Sequence, residues 1–172
     1  MGDLTDPEPL LEVAIGTIGL VVVMFFHGIS LRFINRHYSA AWVRIDATTP
    51  HWRVNLLLAA VVCAFAATHL VETLIWAVPI HRLGMIPKLR DAYYYVLESY
   101  TTLGEGTLAL PDRWRLIGPI IAMSGLFTFG WTGSVLVGIM TEYGQLDRSR
   151  ARRRQKAEDS KVELESKVEP ES

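Results

Sequence analysis

Three apolar runs dominate the chain, at residues 10–31, 54–78 and 116–140. At 1.5 Å per helical residue, each matches the hydrocarbon thickness of a bilayer. Backbone crossing lipid has to satisfy its own hydrogen bonds, so three such runs predict helices and an all-α membrane protein. Half of the 172 residues are hydrophobic and 20% are charged, with mean hydropathy +0.23 and formal net charge −1. That balance is too apolar for an ordinary soluble domain. The one cysteine, Cys63, lies within an apolar run, so no disulfide framework is available.

Charge sets the expected topology. Residues 1–9 carry Asp3, Asp6 and Glu8 without Lys or Arg, which does not read as a secretory signal and suits an extracellular N-terminus. Residues 10–31 form the first span, interrupted by Glu12 and by His27, which reads as a lone satisfied or interfacial polar group. Residues 32–53 carry Arg32, Arg36, Arg44 and Arg53 against one acid, Asp46, with Trp42 and Trp52 suited to an interface. This excess places 32–53 in the cytoplasm as a loop. The tail, 142–172, opens with Arg148, Arg150, Arg152, Arg153, Arg154 and Lys156, again on the cytoplasmic side. Beside a membrane these cations are either a stop-transfer flank or an attraction for anionic lipid, rather than a nucleic-acid site. Beyond Ala157 the composition suits a frayed helix or a disordered segment and leaves no room for a ligand-binding domain.

Between the second and third runs, residues 91–101 predict a helix too short to cross, followed by Thr101-Thr102-Leu103-Gly104-Glu105-Gly106. A half-length helix at membrane depth has to enter and return, which is tolerated only inside protein or beside water. Gly104 and Gly106 can adopt positive φ and turn alternate carbonyls to one side. Repeated around a symmetry axis, such carbonyls replace the hydration shell of a cation.

The segment Thr-Leu-Gly-Glu-Gly resembles the Thr-Val-Gly-Tyr-Gly signature of potassium channels, a known example of a carbonyl filter. Residues 91–101 resemble the pore helix of the two-transmembrane pore-loop channels, residues 102–106 their filter, and 115–141 their inner helix. The resemblance covers about 54–141 and implies a homotetramer with one pore. It leaves residues 10–31 as an additional helix at the periphery. It also implies that Glu105, standing where the signature has Tyr, weakens potassium selectivity toward the non-selective sodium-and-potassium type.

Four Glu105 side chains about 6 Å apart repel by about 3 kcal/mol per adjacent pair at an effective dielectric near 20. Either the ring holds protons or a divalent ion such as calcium, or Glu105 turns away from the axis. His69 and Glu72, three residues apart, share one helix face and are expected to brace the filter together with Glu98. The same groups read as a structural hydrogen-bond network or as a pH sensor. Gly125 and Gly130 are candidate gating hinges, although small residues also serve close helix packing.

No His-Glu-x-x-His spacing is present, and no enzyme is expected. The expected function is passive conduction of cations, potassium and sodium with calcium as a further candidate, without a cofactor, in a bacterial plasma membrane. The alternatives are a potassium-selective channel and a non-conducting channel-like subunit or sensor.

Overall fold

A computed structural model describes residues 7–104, 106 and 108–168. Its regular elements are helices: α1 (Pro7–Trp42), α2 (His51–Arg82), α3 (Leu89–Tyr100), a 3-10 turn (Asp112–Trp114) and α4 (Ile117–Val168). Three of them, α1, α2 and α4, are long and apolar enough to cross a membrane. At 12 residues, α3 is about half the length needed.

Two helices outrun the boundaries expected from composition. Residues 32–42, assigned to a loop by their arginines, continue α1, and residues 142–168 of the tail continue α4. Side-chain contacts at that end join the two extensions. Tyr38 Oη donates to Glu142 Oε2 at 2.8 Å, and Trp42 packs on Tyr143 with ring centroids 4.9 Å apart. Helix continuation is favoured because each added residue gains a backbone bond while its face finds a partner.

A nearly constant offset relates α1 to α4. Glu12 accepts from the Leu116 amide, His27 faces Thr132, and Tyr38 meets Glu142, at separations of 104, 105 and 104 residues. The two helices therefore run parallel and in step. Buried positions Glu12, Gly16, Val23, His27, Leu31, Ile34 and Tyr38 form the inward stripe of α1. Leu11, Ile18, Phe25 and Phe33 project from its other faces. The helix expected at the periphery packs on both α2 and α4 within one chain. Glu12, buried at the start of α1, meets the amide just before Ile117, where the positive end of the α4 dipole favours a carboxylate.

The glycines of α4 serve different purposes. A β-carbon at Gly125 would lie 2.0 Å from the carbonyl oxygen of Tyr100, so α3 ends against bare α4 backbone. At Gly130 a β-carbon would meet nothing within 4 Å in the described chain. Gly125 thus has a packing reason for lacking a side chain, independent of bending.

At the opposite end, the α1–α2 link is folded around Asp46. Its Oδ1 accepts from the backbone and hydroxyls of Thr48 and Thr49 at 2.7–2.9 Å. The Thr48 and Thr49 hydroxyls lower this carboxyl to about 2. Arg150 reaches from α4 to the same turn, donating to Thr49 O at 2.6 Å and lying 2.9 Å from His51 Nδ1.

Two predictions follow from these contacts. Gly125→Ala should displace the end of α3 and destabilise the chain by about 1–3 kcal/mol, whereas Gly130→Ala should be neutral or stabilise by up to about 1 kcal/mol. Thermal unfolding in detergent distinguishes them, and equal losses would mean that Gly130 is packed by another chain. Because folding depresses the Asp46 pKa, its stabilisation of the turn is complete above the ordinary carboxylate range and is lost as pH falls through about 2. Amide shifts of Thr48 and Thr49, followed by NMR during acidification, should move together, and Asp46→Ala should abolish that transition.

Candidate functional site

The loop after α3 begins with a strained residue. Thr102 N–H bonds Ser99 O at 3.0 Å and Leu103 N–H bonds Glu98 O at 2.9 Å, a helix-ending pattern that calls for left-handed backbone at residue 102. Thr102 supplies it with φ 58°, the one non-glycine among the described residues at positive φ. A β-branched residue there is a genuine outlier costing about 1–3 kcal/mol. Gly104 and Gly106 follow with φ 62° and 71°. Positive φ therefore recurs at 102, 104 and 106, so the backbone departs from the flat zigzag of a strand.

The surfaces of this loop are open in a single chain. Thr101, Thr102, Gly104 and Gly106 are exposed, and Leu103 is 62% exposed. Glu105, the residue on which the selectivity expectation and the divalent site rest, lies outside the described residues, as does Thr107.

Behind the loop is a buried polar cluster. His27 Nδ1 lies 2.7 Å from Glu72 Oε1, and Tyr100 Oη donates to Glu72 Oε2 at 2.5 Å. His69 Nδ1 is 2.9 Å from Tyr100 Oη and 3.3 Å from Glu72 Oε2. On the far side of both imidazoles, Thr132 Oγ1 lies 3.1 Å from His69 Nε2 and 3.4 Å from His27 Nε2. Tyr100 Oη also meets Thr128 Oγ1 at 2.5 Å, and Trp76 Nε1 donates to Ser124 Oγ at 3.1 Å. His27 and Glu72 are wholly buried, as are Ser124 and Thr128.

Side chains from all four helices thus close a ring, Glu72–Tyr100–His69–Thr132–His27, returning to Glu72. Its proton inventory is restrictive. Thr132 has one hydroxyl hydrogen for two ring nitrogens, and Tyr100 has one for Glu72, His69 and Thr128. With Glu72 ionised and both imidazoles neutral, one nitrogen faces only lone pairs. One further proton, on Glu72 or shared with a histidine, lets every link have a donor. Fully satisfied, such a network rigidifies a core; partly satisfied, it is costly.

His69 and Glu72 come together as their spacing implies, but Glu98 does not join them. Its side chain is 5% exposed, and Oε1 lacks a hydrogen-bond partner among the described residues. Glu98 instead holds Leu103 through its backbone carbonyl. Tyr100, one residue before Thr101, joins His69 and Glu72 in the ring, and His27 is a member of it rather than a lone group. Tyr100 is hidden in sequence among the neighbouring tyrosines of α3, and Thr128 and Thr132 among the small residues of α4. A period-of-four reading of 124, 128 and 132 would have put their hydroxyls on one face.

In the basic cluster, Arg150 is buried against the α1–α2 link, while Arg148, Arg152, Arg153, Arg154 and Lys156 are exposed.

Tyr100→Phe should break the ring and leave buried polar atoms unmet, destabilising the chain by about 1–3 kcal/mol for each group left unsatisfied. Thermal unfolding measures this, with exposed Cys63→Ala as the control expected to leave stability unchanged.

No curated protein and no solved structure matches the chain. Residues 68–142, from His69 and Glu72 on α2 through α3 and the loop to Thr132 on α4, match the family model described as "Ion channel", which supports a passive ion channel.

Proposed function

We propose that the chain forms a homotetrameric cation channel with the 102–106 loop as its filter. The observation that carries this reading is the recurrence of positive φ at Thr102, Gly104 and Gly106 between a half-length helix and a spanning one. Such backbone can turn carbonyl oxygens toward a shared axis, where they substitute for a cation's water shell. The exposed loop of a single chain supports assembly, since four copies supply the walls that one copy lacks.

In this arrangement α3 is the pore helix and α4 lines the inner pore. The C-terminal dipole of α3 favours a cation in the cavity below the filter. Thr102 adds a hydroxyl ring at the inner mouth, and Glu105 forms an acidic ring that weakens potassium selectivity and attracts calcium. Gly130, with open space around it, is the freer of the two gating-hinge candidates, since Gly125 abuts Tyr100. The acidic N-terminus is external, both arginine-rich segments are cytoplasmic, and the exposed cations near Arg152 face the anionic inner leaflet of a bacterial plasma membrane.

The purified chain in planar bilayers, with potassium on one side and sodium on the other, should give a reversal potential near zero. Calcium should reduce the current, and Glu105→Gln should relieve that block. Reversal at the potassium equilibrium value would overturn the weakened-selectivity reading while retaining the channel. Silence from verified tetramers would overturn conduction itself.

A further inference from the structure

We propose that His27, His69 and Glu72 form a binding site for a divalent transition-metal ion of the zinc class inside the helix bundle. One ligand atom from each of the three lies within 4.8 Å of the others. Both histidines direct Nδ1 toward the Glu72 carboxylate, His27 to Oε1 at 2.7 Å and His69 to Oε2 at 3.3 Å. Two imidazoles and one carboxylate are a donor set that zinc accepts, with a fourth position left for another oxygen. Tyr100 Oη, 2.9 Å from His69 Nδ1 and 2.5 Å from Glu72 Oε2, stands beside that position.

The surroundings fit a metal centre in two further respects. Metal-bound imidazoles usually donate their other N–H to an outer partner that fixes the ring. Thr132 Oγ1 faces Nε2 of both histidines and can accept from both. That tautomer turns both Nδ1 lone pairs toward Glu72, an electron-rich arrangement that needs a positive charge at its centre. The site is also built across helices, His27 on α1 and His69 with Glu72 on α2, as bundle metal centres are. His27 and Glu72 have no exposure and His69 has 13%, so bound metal would be shielded from bulk water.

A bound metal supplies the positive charge that a further proton would otherwise bring to the ring. Zinc–nitrogen and zinc–oxygen bonds of about 2.0–2.2 Å put neighbouring ligands about 3.3 Å apart in a tetrahedron. His27 and Glu72 therefore part by roughly half an ångström on loading. Any proton held on the ligand atoms is released on binding, and if Tyr100 ligates as phenolate its proton leaves too and the site becomes neutral.

The test uses the full-length chain, freed of metal by chelation in detergent, and titrated with Co2+ or Zn2+. Binding is read without current, so its outcome is independent of whether the chain conducts. The expected result is one ion per chain, a visible Co2+ absorption of a low-symmetry site displaced by Zn2+, and histidine scattering in X-ray absorption. Affinity should fall on acidification, because protons compete with the metal for the histidine and carboxylate ligands. His27→Gln, His69→Gln and Glu72→Gln should each lose the Co2+ spectrum, while Cys63→Ser and His37→Gln should keep it. Thr132→Val, which leaves the ligands in place, should weaken binding by about 10–100-fold, and matching elution volumes check that the variants remain folded. Absence of binding by the wild-type chain in excess metal would overturn the proposal and leave the ring as a hydrogen-bond network alone. Undiminished binding in folded His27→Gln would overturn it equally.

Discussion

A carboxylate with no solvent, Glu72, fixes the arrangement of this chain. Removing an ionisable group from water is unfavourable unless partners replace the lost solvation, and in a membrane the alternatives are few. Glu72 meets that requirement by drawing His27 from α1, His69 from its own helix and Tyr100 from α3. Thr128 and Thr132 then tie α4 to the same centre. Apolar packing between helices is weakly directional in lipid, because side chains and acyl tails are similar solvents. A polar centre with demanding geometry can fix register where hydrophobic contact alone would allow sliding.

The loop depends on that register. Tyr100 carries its ring hydrogen bonds on one side and its carbonyl against Gly125 on the other. The next two residues are Thr101 and the strained Thr102. Strain of this kind persists only where surrounding structure over-determines the backbone. Fixing Tyr100 through both its side chain and its main chain supplies such control, immediately before the loop that carries Gly104 and Gly106.

What sequence discloses depends on distance along the chain. The three spans, the short helix and the glycine-rich loop were legible because length, hydropathy and local composition are short-range signals. His69 and Glu72 were legible as a pair because helical geometry fixes the meaning of a three-residue interval. His27 was not joined to them, since 45 residues separate it from Glu72 and nothing local encodes parallel packing of α1 with α4. Glu98, two residues from Tyr100, occupies a different face of the same helix and does not enter the ring. The arginine-rich boundaries marked where apolar character stops, but a helix can continue past that point when Tyr38, Trp42 and Tyr143 give it a partner.

Parallel pairing of α1 with α4 has a consequence for biogenesis. During synthesis α1 is made long before the helix beside which it will rest. Glu12 waits for an amide 104 residues later, and His27 waits for Thr132 across 105. Unless they are shielded or neutralised, two polar side chains of the first span therefore enter the membrane ahead of their permanent neighbours. The growing chain has to hold this helix near the insertion site until the last one emerges, making completion of the bundle a late, long-range event rather than a sequence of local hairpins.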